Sequence, residues 1–256
     1  MDLPDFLFPF KEGLIKFERP CLKIKPTVAN KENYDDPLPL TASKLLGRPF
    51  IPLDEEYPLD RDGKPLVLAA QINFSELPEL QHLPRSGLLQ LFLSPTDWYD
   101  EGYAIKFVSD SSLFKKPQRD FSFITDSLYQ QLPIGKIHSL TFEPTIDNGG
   151  SEDCQFDFKF DGLNFWDFEE TLTDRERELL GQYFDASGHK IGGYGEFTQS
   201  DPRDYSSTNR SDFQLLQIDV DDHIMFGDAG LGHVFISPEA LSVLDFEKVY
   251  FYWDCC

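Results

Sequence analysis

The chain has 256 residues, of which 40% are hydrophobic, with 24 Phe, 10 Tyr and 3 Trp among them. A chain of this length can bury a substantial core, and so many aromatic residues favour sheets over helices. The formal net charge of −22 repels nucleic-acid backbones and anionic membrane surfaces, so neither is expected as a partner, whereas a basic protein partner is compatible with it.

Residues 1–43 are predicted to lead into the main body of the chain. Four apolar residues are spaced as on one face of a short helix: Phe6, Phe10, Leu14 and Phe17. Pro9 predicts that this helix begins there rather than earlier. The alternation of Cys21–Val28 then predicts a strand.

The first of two repeats occupies about residues 44–110. Val67–Phe74 predicts a buried strand. The apolar run in SGLLQLFLSP, Ser86–Pro95, predicts a central strand that is covered on both faces. Tyr103–Asp110 is expected to be an outer strand.

Residues 111–187 match neither repeat and are predicted to be a middle insertion. Lys136–Phe142 predicts a strand, and the alternation of Phe with polar residues in Cys154–Gly162 predicts another. Thr173 and Glu176 have the spacing of a capping box, which predicts a helix over residues 174–184. Phe158 and other aromatic residues of this region are expected to cover the joint between the repeats.

The second repeat occupies about residues 190–254. Its segment AGLGHVFISP, Ala229–Pro238, matches Ser86–Pro95 at the Gly, Leu, Phe, Ser and Pro positions. The separation from Gly47 to Gln71 equals that from Gly193 to Gln217. In the outer strands, VYFYWD is aligned with IKFVSD. Internal duplication is therefore predicted.

The start of a further helix is indicated directly after the second repeat's inner strand. Ser237 is expected to cap this helix, with Pro238 at its first position and an end near Leu244.

The fold class expected from these elements is α+β, predominantly β with a few short helices. The two repeats are predicted to form two related sheet-containing units in a pseudo-two-fold arrangement. Together with the lead-in and the middle insertion they are expected to make a single domain spanning residues 1–256.

Three stretches give the chain a family resemblance: Gly63–Leu80, Gly192–Arg203 and Met225–Cys255. In combination they resemble the YwqG-like family of uncharacterised, mostly bacterial proteins, and the resemblance extends over about residues 44–255. It implies a two-fold α+β domain and offers no settled catalytic residues.

Gln71 and Gln217 stand at matching positions inside apolar strands. A buried amide needs hydrogen-bond partners, so each side chain is expected to bond to backbone near its repeat's turn or to meet the other across the pseudo-axis. The functional alternative is a shared pocket formed with four further residues: Gln199, Asp201, Arg203 and Asp228. In that pocket Asp201 and Asp228 would be a carboxylate pair for acid–base chemistry.

The familiar catalytic and metal-binding motifs are not present in the sequence. The acidic run Asp219–His223 suggests calcium, but an EF-hand loop starting there would need Gly and Glu where Ile224 and Gly230 stand. The five histidines show no metal-ligand spacing. No metal and no cofactor are therefore expected, and the sequence favours a protein without enzymatic activity.

The expected location is the cytoplasm. The first residues lack the basic start and apolar run of a signal peptide. No segment approaches the roughly 20 apolar residues that span a bilayer. The four cysteines form no Cys-x-x-Cys pair, so a reduced setting is expected.

The net charge, the duplication and the missing catalytic motifs together predict a non-enzymatic binding or protein-interaction module. Neutralising a basic partner is one role that the charge would allow. The alternative is a small-molecule binder or hydrolase-like enzyme with its site at the joint between the two repeats.

Overall fold

The computed structural model describes residues 2–30, 32–100, 102–204 and 208–256, and their strands form a single sheet. The protein is predominantly β with a few short helices, as predicted. Within the described residues the sheet has ten strands: β1 Arg19–Val28, β2 Lys44–Leu45, β3 Val67–Asn73, β4 Leu88–Leu93, β5 Tyr103–Val108, β6 His138–Asp147, β7 Lys190–Gly192, β8 Phe213–Ile218, β9 Leu231–Ile236 and β10 Tyr250–Asp254.

The order of the strands is β10-β9-β8-β7-β1-β6-β2-β3-β4-β5, and neighbouring strands are antiparallel. At the centre, β1 and β6 pair from Arg19 opposite Asp147 to Val28 opposite His138. Strands β2–β5 follow outward on one side in chain order, and β7–β10 do so on the other. We call these groups the first flank and the second flank.

The central pair of strands comes from outside the predicted repeats. β1 belongs to the lead-in, and β6 belongs to the middle region. The strand predicted at Lys136–Phe142 is present, but it begins at His138 and continues to Asp147. It extends further because the equally long β1 offers it a hydrogen-bonding partner along its whole length.

The sheet curls until its two edge strands approach each other. The ring centre of Tyr103 on β5 lies 5.6 Å from that of Phe251 on β10, and Phe107 stacks on Phe246 at 4.1 Å. Apolar side chains of both flanks form one hydrophobic core inside the curl. Val67–Asn73 is buried along its whole length, as its apolar run predicted.

Short helices surround the sheet. Among the described residues the α-helices are α1 Lys11–Leu14, α2 Asp126–Tyr129, α3 Phe165–Glu170, α4 Asp174–Tyr183 and α5 Pro238–Ser242. Short 3-10 helices cover Asp5–Phe10, Ile15–Phe17, Phe74–Glu76, Asp110–Phe114 and Phe246–Lys248. None of the described helices combines the length and the apolar character that a membrane crossing requires.

Helices α4 and α5 begin where the sequence predicted. Thr173 and Glu176 form the capping box at the start of α4, and the Ser237 side chain accepts the N–H of the third residue of α5. α5 ends at Ser242, however, before its predicted end at Leu244. Leu244 has a φ of 56°, which a right-handed helix cannot contain.

The lead-in helix begins earlier than predicted. It starts as a 3-10 helix at Asp5, and Pro9 lies inside that helix rather than at its start. A short 3-10 helix contains few hydrogen bonds, so the N–H that Pro9 lacks costs little there. The predicted apolar face is present, since Leu14 is buried in a second hydrophobic cluster against which the lead-in phenylalanines pack.

Phe158, which was expected at the joint between the repeats, packs against the lead-in instead. Its ring centre lies 5.4 Å from that of Phe17. The strand predicted at Cys154–Gly162 is also wrong, because this segment pairs with no strand of the described sheet. Phe156 and Phe160 are buried, so the alternation marked which side chains point inward but did not imply a neighbouring strand.

Candidate functional site

The side chains of the two predicted glutamines form hydrogen bonds between their strands and the neighbouring turns. Gln71 Nε2 donates hydrogen bonds to the carbonyls of Leu40 and Ala42, at 2.7 and 2.8 Å. Gln217 Nε2 donates to two carbonyls of the corresponding turn, at 3.0 and 2.8 Å. Each Oε1 also accepts a backbone N–H. Both amides are therefore hydrogen-bonded to backbone near their turns, and neither is among the described residues that line the two clefts below.

Each flank also buries a lysine–aspartate ion pair, which the sequence analysis missed. Lys44 Nζ lies 2.9 Å from Asp36 Oδ2, and Lys190 Nζ lies 2.7 Å from Asp147 Oδ2. Burial lowers the pKa of Lys44, an effect that Asp36 opposes. Each aspartate also accepts a backbone N–H from the turn after the lysine strand. The lysine at the same position of KLLG and KIGG is the signal that could have indicated the two cations, although neither stretch identifies the aspartate that pairs with it.

Asp201 and Arg203 form a buried ionic cluster with Asp153. Arg203 Nε lies 2.9 Å from Asp201 Oδ1. Arg203 Nη2 lies 2.8 Å from Asp201 Oδ2 and 2.7 Å from Asp153 Oδ2. Burial opposes ionisation of Asp201, but the hydrogen bonds and charge of Arg203 outweigh it and lower the pKa of that carboxyl. The guanidinium is thus shared by two carboxylates.

Cys154 lies beside this cluster. Its Sγ and one carboxylate oxygen each of Asp153 and Asp201 are close enough to share a metal ion. Burial and the Asp201 carboxylate raise the pKa of the Cys154 thiol to about 12, so it is protonated at neutral pH. Because Arg203 already supplies positive charge to both carboxylates, the arrangement fits a structural ionic cluster better than a metal site.

The other two predicted residues lie near the C-terminal strand. Gln199 Nε2 donates to the carbonyl of Cys255 at 2.6 Å, and its backbone N–H bonds to Asp254. Asp228 is exposed on a turn, and its carbonyl accepts the N–H of Cys256. The structure therefore brings Asp201 to Arg203 and Asp153, and it places Asp228 on the surface.

A cleft of about 790 Å³ opens where the two flanks meet. One wall is the loop after β3, residues 80–84, and the opposite wall is α5 with the residues that follow it. The apolar part of the lining consists of Leu80, Leu83, Phe213, Leu241 and Leu244, with several prolines. Of the six predicted site residues, only Arg203 belongs to the described lining.

Asp212 and Gln214, at the start of β8, supply further polar groups to the cleft. The hydroxyl of Tyr250 donates to Asp212 Oδ2 at 3.0 Å. Arg203 Nη1 donates to the backbone carbonyl of Asp212, also at 3.0 Å. Burial raises the pKa of the Asp212 carboxyl. Neither residue was predicted from the sequence, although DFQLLQ places two polar side chains where the first repeat has apolar ones.

Gln214 connects the cleft to a buried histidine. Gln214 Oε1 lies 3.2 Å from His233 Nδ1. Burial, together with the nearby charge of Arg203, lowers the pKa of His233 to about 3, so this ring is neutral in the folded protein.

A smaller cleft of about 400 Å³ lies beside β2. Tyr34 and Tyr129 stack in its wall at 4.9 Å, and Arg48 pairs there with Asp35 at 2.9 Å. None of the six predicted site residues is among its described lining. The larger cleft is therefore the candidate site.

Comparisons with known proteins place the chain in a family. No match was found among curated proteins. A family model described as a domain of unknown function, DUF1963, matches residues 43–255. The model does not name YwqG, so the finer resemblance stays a prediction. The matched region takes in β2–β10 and both walls of the cleft, and the chain belongs to the DUF1963 family.

Proposed function

We propose that this protein is a non-enzymatic binding protein whose ligand is a small molecule held in the cleft between the flanks. The proposal is supported by a difference between the two flanks in one layer of side chains on the sheet. In the first flank this layer is apolar and forms a small core. At three of the matching positions the second flank has polar residues, Arg203, Asp212 and Gln214, which line the cleft, whereas the match of Phe92 is the buried Phe235.

The matching itself rests on an internal duplication, which we propose for residues 44–110 and 190–254 within one domain of 1–256. The β3–β4 pairing shifts register between Leu68 and Ala70, and the β8–β9 pairing shifts between Gln214 and Leu216. Each shift stands directly before the buried glutamine. The matching hydrogen bonds of the two glutamines and the mirrored strand order support the same proposal.

The outer strands correspond in a different register from the one expected from the sequence. Ile105 lies opposite Leu91 in the first flank, and Phe251 lies opposite Val234 in the second. Leu91 and Val234 occupy the same position when the two repeats are aligned. Their partners in the outer strands should therefore also correspond, so Ile105 matches Phe251 rather than Val249. The alignment of VYFYWD with IKFVSD is therefore displaced by two residues.

Arg203 occupies the place that Tyr57 has in the first flank. The Tyr57 hydroxyl donates to the carbonyl of Leu66 at 2.9 Å, as Arg203 donates to that of Asp212. The Tyr57 ring packs on Phe92, and the guanidinium lies over the equivalent Phe235. The same packing position is thus occupied by a neutral side chain in one flank and by a charged side chain in the other.

The neighbouring positions differ in the same sense. Leu66 and Leu68 are buried in the first flank, and Asp212 and Gln214 replace them in the second. Burying polar groups costs free energy that the fold itself does not require, since the first flank packs without them. A binding role for these groups explains why the second flank has them.

The chemistry of the cleft favours binding over hydrolysis. A hydrolase of the serine type needs a hydroxyl hydrogen-bonded to a base. Ser242 Oγ donates to the carbonyl of Glu239 instead. Among the described lining residues, neither Ser211 nor Ser242 has a hydrogen bond to a histidine.

The proposal is tested by a fragment screen followed by amide NMR. Binding should shift the amide signals of residues 80–83 and 239–244, since Pro84 and Pro238 carry no amide proton. Ser242→Trp, which places a bulky ring at the mouth of the cleft, should abolish these shifts. Val243→Trp is the matched control, because Val243 directly follows the helix, is 72% exposed and is not in the described lining. Fragments that bind elsewhere, or that bind the Ser242→Trp protein unchanged, would contradict the proposal.

A second candidate is a protein interaction with a basic partner, which the net charge of −22 favours. We also propose a cytoplasmic location, which the four free cysteines support. A pull-down from the host at physiological salt tests the partner. Recovery of basic proteins that high salt releases is expected, and recovery of acidic proteins alone would contradict this second function.

A further inference from the structure

Only one of the two carboxylate oxygens of Asp212 has a hydrogen-bond partner. Its Oδ2 accepts the Tyr250 hydroxyl, whereas its Oδ1 is buried and has no hydrogen-bond partner among the described residues. The residue is only 3% exposed, so bulk water does not replace the missing partner. A buried acceptor left without a donor is costly to the fold, and in the wall of a cleft it indicates a donor that arrives with a ligand.

The position of Asp212 is fixed from several directions. Its backbone N–H donates to the carbonyl of Asn209. Its carbonyl accepts hydrogen bonds from Arg203 Nη1 at 3.0 Å and from Gln155 Nε2 at 2.9 Å. The carboxylate is thus held in the cleft before any ligand enters, which reduces the cost of binding.

The two arginines of the cleft are already engaged with other groups of the protein, which leaves Asp212 as the charged group available to a ligand. Arg203 is already shared between two buried aspartates. Arg19 donates to Gln155 at 2.6 Å and lies over the ring of Tyr194. Asp212 is the one carboxylate among the described lining residues, and Glu239 on α5 acts on it electrostatically. Both arginines of the lining therefore have partners within the protein, whereas Asp212 Oδ1 has none among the described residues.

The rest of the lining is hydrocarbon. Leu80 and Leu83 lie on one wall, Leu241 and Leu244 lie on the other, and Phe213 follows Asp212 in the chain. A volume of about 790 Å³ is within the range of small-molecule sites. An apolar body fits between these walls with a polar group at one end.

We propose that the cleft binds a protonated organic amine, whose N–H group donates to Asp212 and whose apolar body packs between the leucine-rich walls. This inference rests on the proposed small-molecule function and adds the chemical class of the ligand. The ammonium group would provide the hydrogen bond that Oδ1 lacks and would pair with the negative charge of Asp212.

The test compares hexylamine, hexanol and hexanoate, which share one hydrocarbon chain, by NMR titration at physiological salt. In the wild-type protein hexylamine should bind in the cleft at least ten-fold more tightly than either of the others. Asp212→Asn should remove this preference. Asp62→Asn changes the net charge equally on an exposed turn of the first flank, so it should keep the preference and controls for non-specific attraction of cations.

The outcomes separate this inference from the function on which it rests. If hexanol or hexanoate bound in the cleft as tightly as hexylamine, the assignment of an amine ligand would be overturned, whereas the proposed small-molecule binding would stand. No shift at residues 80–83 or 239–244 with any of the three probes would count against both. If Asp212→Asn does not fold, Asp212→Leu, which copies Leu66, replaces it, and the wild-type preference alone still decides.

Discussion

The guanidinium of Arg203 lies over the ring of Phe235, with Cζ 4.7 Å from the ring centre. The contact joins the charged cluster of the second flank to the hydrophobic strand β9. In the first flank Tyr57 makes the equivalent contact with Phe92, at 5.9 Å between ring centres. The same packing position therefore accommodates a neutral aromatic side chain in one flank and a charged side chain in the other.

Arg203→Ala should lower the free energy of unfolding by about 3–5 kcal/mol, because Asp153 and Asp201 would stay buried without their cation. Urea denaturation measures the loss. Arg210→Ala is the control, since Arg210 forms an exposed ion pair with Asp204, and it should cost less than about 1 kcal/mol. Equal, small losses for both variants would contradict the assignment of a buried ionic cluster.

Phe92→Ala and Phe235→Ala should each lower the free energy of unfolding by about 3–5 kcal/mol, because both rings are fully buried at matching positions. Phe114 is 86% exposed, so Phe114→Ala should change stability by less than about 0.5 kcal/mol. A loss below about 1 kcal/mol in both core variants would refute the twin core positions.

His233 should make the protein sensitive to acid. Its folded-state pKa is about 3, whereas an unfolded histidine has a pKa of about 6.5. As the pH falls below 6.5 the unfolded chain binds a proton that the folded protein does not, so the free energy of unfolding decreases until the pH reaches about 3. Between pH 7 and pH 5 this contribution amounts to about 2 kcal/mol.

His233→Gln, which copies Gln90 of the first flank, should remove that part of the pH dependence. Denaturant titrations at pH 7 and pH 5 measure it. His82→Gln, which removes an exposed histidine, is the matched control. If the free energy of unfolding of the His233 variant changed with pH as much as that of the wild-type protein, the His233 ring would not be buried in its neutral form.

Glu196 should have the opposite effect. Burial, with the nearby charges of Asp185 and Asp219, raises its folded-state pKa to about 7, above the value of about 4.3 in an unfolded chain. Between these two values the folded protein binds the extra proton, so stability decreases as the pH rises to 7 and stays reduced above it.

Glu196→Gln should therefore be more stable than the wild-type protein at pH 8, with no such gain at pH 4. Thermal melting at the two pH values checks the difference. Glu12→Gln, at an exposed position of the lead-in, serves as the control. A variant that is stabilised equally at both pH values would contradict a titration effect.

Local patterns predicted the local structure well. The capping box of Thr173 and the cap at Ser237 depend on residues within one helical turn of each other, and the buried run of β3 needs only its own apolar residues. Partners distant in the chain were not predictable in this way. Asp147 pairs with Lys190 across the sheet, and nothing in the sequence near either residue identifies the other.

The candidate site was only partly predictable for the same reason. Arg203 was named from its surroundings in the chain, and the joint between the repeats was the expected location of one alternative. Asp212 and Gln214 differ from Leu66 and Leu68 in the alignment of the repeats. That the two polar side chains lie in the wall of a cleft depends on contacts between distant segments, which the alignment does not show.

The central pairing of β1 with β6 has a consequence for how far the chain can be shortened. The family match begins at residue 43, after β1 has ended. A fragment trimmed to that match would lose the strand between β6 and β7 and would expose the backbone of both as open edges. The boundary of sequence similarity thus cuts through the middle of the sheet, and a fragment starting there should self-associate.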